Sequence, residues 1–186
     1  LCNICDYPPS CFTRLWRDPA ENCIVLPMSE ILDLPADQQD LIRALPYRVG
    51  MYVSYADMDG GEESATQEHQ ACEAMITAYV EDFCKSEFVQ GLMEETLKHQ
   101  DRWSTWAKNL ESVPDECARA VEVLKGKVGK REITLLGDNL LEIGFSVAQA
   151  YRESGNIKSI KLLARLKNML FGGSDADGKY ANYVNV

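Results

Sequence analysis

The residues best equipped for chemistry lie in two short stretches of the 186-residue chain. One is YADMDGGEE, residues 55 to 63, where Asp57, Asp59, Glu62 and Glu63 surround a glycine pair. Several carboxylates beside a glycine that lets the backbone turn inward suit a hard divalent cation, so Ca, Mg or Zn is the expected cofactor if the loop holds one. It is not an EF-hand. With Asp57 at position 1, Glu62 falls where glycine is required; with Tyr55 at position 1, the closing carboxylate is replaced by Thr66. The competing reading is an acidic turn at a helix start, where carboxylates meet the positive end of the helix dipole. SDADG, residues 174 to 178, is a second, sparser version.

The other stretch is the amino-terminal cysteine arm, with Cys2, Cys5, Cys11 and Cys23. A Cys-x-x-Cys pair opens most tetrahedral zinc and iron-sulfur sites, but no second pair follows, so zinc or a cluster stands beside disulfides or free thiols. Nucleophilic catalysis needs a base within reach, and the chain has only His69 and His99. Neither follows a Glu by three residues, which removes the Glu-x-x-His of di-metal bundles. No phosphate-binding glycine loop is present. The expectation is therefore a protein that is not an enzyme.

Charge narrows the partners. The net charge is −10, against a general nucleic-acid binder. Between Asp57 and Asp101 twelve acids face only Lys85 and Lys98, whereas Arg119 to Lys167 carries ten Lys or Arg against five acids. A protein partner is expected, or self-association in which the acidic middle of one copy meets the basic third of another. In NIKSIKLLARLKNMLF, Lys158, Lys161 and Arg165 lie opposite a leucine-rich face, which suits a solvated basic face, an acidic partner helix or peripheral contact with an anionic membrane. No apolar run is long enough to span a bilayer. Cys72, Cys84 and Cys117 fall on predicted helices, arguing for the cytoplasm or another reducing compartment. A leading Leu in place of Met is compatible with a trimmed product and a targeting segment already removed.

The elements that position these residues are helical. Residues 1–28 hold four of the seven prolines and no helical period, and read as an irregular Cys- and Pro-rich arm suited to wrapping a partner in a larger assembly. Helical spacing dominates residues 29–171, and residues 172–186 form a tail. Leu41, Ile42, Leu45, Val49, Tyr52 and Val53 make one stripe, with Pro46 expected to kink or split the segment. Cys72, Met75, Ile76, Tyr79, Val80 and Phe83 give the clearest amphipathic face. A helix is expected from about Ser86, a shorter segment bears Trp103 and Trp106, and Ser112 before Pro114 is the expected cap of a helix running to about Lys127. Two more helices follow, at about 131–152 and 156–171. The fold class is all-α: a compact bundle of about six or seven helices with negligible sheet.

An internal repeat suggests two pseudo-symmetric halves. At an offset of 94 residues Gly50, Val53, Ala56 and Gly61 fall on Gly144, Val147, Ala150 and Gly155, while Val49 matches Ile143 in kind. A helix ending in VSYADMDGG before an acidic helix start resembles the hinge of the TerB-like family, the helical domains associated with tellurite resistance. The resemblance covers Leu41 to Glu73 and, more faintly, Leu140 to Ser154. It implies a compact all-α protein with two related halves and an acidic, divalent-metal-binding surface linked to stress responses and membrane-associated complexes. This chain departs by inserting Met58 and Asp59 before the glycine, and by placing Tyr151, Glu153 and Ser154 where the first copy has Asp57, Asp59 and Gly60. The expected function is a binding or scaffold protein working through protein contacts. The alternatives are a metal-binding stress protein using the hinge, and an accessory subunit using its arm.

Overall fold

The computed structural model describes residues 29–55, 61–83, 86–150 and 157–171. Among these the structure is an all-α bundle: α1 (Ser29–Leu32), α2 (Ala36–Tyr55), α3 (Gly61–Ala78), α4 (Glu87–Lys98), α5 (Trp103–Trp106), α6 (Val113–Leu124), α7 (Lys130–Ala150) and α8 (Ile157–Phe171). A π-helical turn at Tyr79–Phe83 extends α3. The isolated bridge between Lys125 and Val128 is the only β pairing among the described residues.

Helix α2 is the axis of the bundle. A stripe was expected from its spacing, yet every residue from Ala44 to Gly50 is buried, because α3, α4, α6 and α7 all pack against it. Pro46 neither splits nor ends it. A helical proline has no N–H and loosens the carbonyls a turn before it. One of them, Arg43 O, takes a hydrogen bond at 2.8 Å from the buried Thr96 hydroxyl of α4. That contact ties α4 to α2 beside the proline, whose missing N–H leaves Ile42 O without its helical donor, and surrounding packing holds the helix together.

The expected stripe on α3 is real: Cys72, Ile76 and Tyr79 are buried. Ser86 caps α4, accepting from Val89 N at 3.1 Å, and its hydroxyl donates to the buried Glu132 of α7. A single serine therefore starts one helix and ties it to another. Ser112 is a correction. Its backbone is already helical and its side chain caps nothing; its hydroxyl, 2.7 Å from Asn109 O and 2.8 Å from Glu116 Oε1, shares one hydrogen between them. Helix α6 also ends at Leu124, short of Lys127, because Gly126 turns the chain at φ 79.

Helices α2 and α7 cross where the repeat placed its glycines. A Cβ on Gly50 would run into Cys72 Sγ and come within 3.4 Å of Ile143. One on Gly144 would lie 2.9 Å from Leu163 Cδ2, 3.2 Å from Val53 and 3.7 Å from Val49. The packing is reciprocal: each copy's glycine faces the other copy's Val49 or Ile143. Absence of a side chain at both points makes room for Cys72 of α3 and Leu163 of α8, which a β-carbon would displace.

Candidate functional site

The central polar feature is Arg48, which sequence spacing had not singled out because it interrupts an apolar run. Its side chain is 9% exposed, and all five guanidinium N–H groups face acceptors. Nε donates to Glu116 Oε2 at 2.7 Å, Nη1 to Trp106 O and to Lys108 O at 2.9 Å, and Nη2 to Asn109 O at 3.1 Å, Ser112 Oγ at 3.3 Å and Glu116 Oε1 at 3.1 Å. Asn109 adopts the left-handed φ of 52 that wraps the turn around this cation. Arg48 is thus a clamp joining α2 to the α5–α6 corner.

A shallow depression of about 450 Å³ opens above Tyr47, His69, Glu73, Gln100 and Trp103. Tyr47 stacks on Trp103 with ring centroids 4.4 Å apart, and His69 stands edge-on to both at 5.7 Å. Tyr47 Oη lies 3.4 Å from His69 Nδ1, and Gln100 Nε2 donates to Glu73 at 3.0 Å. Burial, reinforced by Cys72, pushes the Tyr47 hydroxyl up to about 12, so it stays protonated at neutral pH. His99 Nδ1 is 2.8 Å from the Glu95 backbone oxygen, while the Glu95 carboxylate pairs with Arg43 and Lys98. His99 therefore meets Glu95 through its backbone oxygen.

The thiols are equally committed to packing. Cys72 and Cys117 are free and fully buried, and burial first, then neighbouring Glu73 or Glu116, pushes each up to about 12. Such thiols are poor nucleophiles near neutral pH.

A larger concavity than the depression above Tyr47 is a groove of about 870 Å³ where α6, the start of α7 and the end of α8 converge beside the start of α2. Val121, Val123, Val128, Ile133, Met169 and Phe171 line it, each only partly buried. The tight turn after α6 builds its rim. Lys125 N bonds Val121 O, Lys127 N and Val128 N bond Leu124 O, and Gly129 O receives Glu132 N and Ile133 N to start α7. Lys125, Lys127, Lys130 and Arg131 are consequently pushed outward, and all four are exposed, as is Arg119 on α6. Lys125 pairs with Glu122; among the described residues no ion pair involves Arg119, Lys127, Lys130 or Arg131.

The expected site residues are distributed unevenly over this surface. Asp57 and Asp59, like Cys2, Cys5, Cys11, Cys23 and Cys84, lie outside the described residues, as does SDADG. Glu62 and Glu63 fall in the first turn of α3 and Lys158 and Lys161 in the first turns of α8, with their side chains outside the description. Among the described residues no group of three His, Cys, Asp or Glu is placed to hold a metal ion. Arg165 is exposed and hydrogen-bonds the Tyr52 hydroxyl, which burial pushes up and Arg165 partly pulls back. The basic surface next to an apolar concavity is therefore found at the α6–α7 turn. KGKVGKR, residues 125 to 131, was the signal available for it. Among the described residues no helix is long and apolar enough to cross a membrane. No protein-family model, no curated protein and no solved structure matches the chain.

Proposed function

We propose that the chain is a non-enzymatic helical binding module that acts through protein–protein contacts, with the α6–α8 groove as its contact surface. The observation carrying this reading is the groove itself: partly buried Val121, Ile133 and Phe171 gathered in one concavity, beside exposed cations, on a molecule of net charge −10. Apolar side chains lining a concavity with a few polar groups at its rim are the usual form of a binding surface. The commitment of both described thiols and of Arg48 to packing supports a binding role over a catalytic one. The reciprocal glycine contacts of α2 and α7 are consistent with the two-half organisation expected of a TerB-like domain.

Substitution of Val121→Asp together with Ile133→Asp should leave the helical circular dichroism intact, since both sites are only half-buried, while abolishing the partner that co-purifies from the native source. Ala74→Asp, on the exposed side of α3, should keep that partner. Retention of the partner at full stoichiometry by the groove variant would sink the proposal.

A further inference from the structure

We infer that the groove takes an amphipathic helix bearing acidic residues, supplied by a partner protein; the inference rests on the binding role proposed for that groove. Its walls are helices, whose interior backbone groups are spent in their own hydrogen-bond ladders, and the turn joining α6 to α7 closes bonds of its own. An extended peptide laid on such walls would find side chains where its own N–H and C=O groups need partners, and no sheet edge is available among the described residues for strand addition. A helix arrives with those bonds already made, and its ridges can seat between those of α6 and α8. Apolar residues at i, i+3, i+4 and i+7 would then meet Val121, Ile133, Met169 and Phe171.

The rim sets the sign of the remaining residues. Arg119, Lys125 and Lys130 line the opening against Asp37 and Glu122, Lys125 and Glu122 pair with each other, and Lys127 and Arg131 stand exposed in the adjoining turn and the first turn of α7. Acids at the edges of a docked helix would meet these cations within a few ångströms. The many acids elsewhere on the chain repel such a helix only weakly, because the screening length at physiological salt is about 8 Å. Concavity argues against a bilayer as the occupant, since a flat surface would leave the groove floor uncovered.

The test uses the full chain and fluorescently labelled synthetic peptides read by anisotropy. One probe carries Leu and Phe at i, i+3, i+4 and i+7 with Glu and Asp between them; the second replaces those acids by Lys; the third is the acidic peptide broken by central prolines. Saturable binding of the acidic helix, at least about tenfold weaker binding of the other two, and loss of preference in Arg119→Glu/Lys130→Glu would establish the inference. These two side chains are exposed and outside the described ion pairs, so circular dichroism should show the variant folded. Equal binding of the lysine peptide, abolished by Val121→Asp, would overturn the acidic partner while leaving the groove as a binding surface. Equal binding of the proline-broken peptide would overturn the helical one. Failure of all three peptides, with phosphatidylserine vesicles or a second copy of the chain bound instead, would overturn both this inference and the protein-partner groove.

Discussion

Replacing Arg48 by Met tests how far the bundle depends on one buried cation. Methionine retains most of the apolar stem, so the loss reports mainly on the guanidinium. The head group bridges six acceptor atoms on Trp106, Lys108, Asn109, Ser112 and Glu116. Its removal takes the donor from the carbonyls of Trp106 and Lys108, Asn109 O keeping its bond from Ser112, and leaves a carboxylate that is only 18% exposed without its counter-ion. Breaking one partner of a largely buried pair costs about 3–5 kcal/mol, and the carbonyls do not add in full because water can enter the exposed Lys108–Asn109 side. A loss of about 4 kcal/mol should lower the melting temperature by roughly 8–16 °C for a chain of this size. Urea unfolding followed by circular dichroism measures it. Arg48→Lys should recover less than half, since three donors on one nitrogen cannot span a fork that reaches both α6 and the preceding turn. Combining Arg48→Met with Glu116→Gln should cost clearly less than the sum of the separate losses, because each variant removes the same pair. A loss below about 1 kcal/mol in Arg48→Met, or full additivity in the double variant, would refute the clamp.

Two further perturbations probe the packing. Gly50→Ala gains helix propensity of about 1 kcal/mol but drives a methyl into Cys72 Sγ, so it should destabilise by about 1–3 kcal/mol. In a Cys72→Ala background the nearest atom becomes the residue-72 Cβ at 3.2 Å, and the same Gly50→Ala should cost little or nothing; equal losses in both backgrounds would dismiss the close approach. The second perturbation is alkaline pH. The buried thiols of Cys72 and Cys117 titrate near 12 in the folded chain, against an ordinary 9.0 when unfolded. A raised folded value means that stability is fully present below pH 9.0 and falls as the pH climbs toward 12. Urea midpoints taken at about pH 8 and about pH 11 should show the fall, and Cys72→Ala/Cys117→Ala should reduce it. An unchanged slope in that variant would assign the effect elsewhere, Tyr47 being the next group.

Local periodicity determined the helical elements, because the side chains that must leave water recur every three or four residues whatever the helix packs against. That is why Cys72, Ile76 and Tyr79, the Ser86 cap and the start of α6 near Pro114 were legible in the sequence. The glycine pair Gly50 and Gly144 was legible as a repeat. Its reason, side chains of α3 and α8 packed into the space a β-carbon would need, belongs to the tertiary structure. Tertiary structure also decided everything polar and buried. Arg48 reads as an interruption in a stripe until the α5–α6 turn supplies its acceptors; Ser112 reads as a cap until Glu116 and Asn109 claim its hydroxyl; Pro46 reads as a break until α3, α4, α6 and α7 pack around α2. The groove follows the same logic. Val121, Ile133 and Met169 sit at the flanks of their own helices' apolar stripes, Val128 sits in the turn between α6 and α7, and only the convergence of three helix ends gathers them into one surface. Burying an apolar side chain requires only somewhere dry, whereas burying a charge or shaping a concavity requires particular partners, and those come from distant parts of the chain.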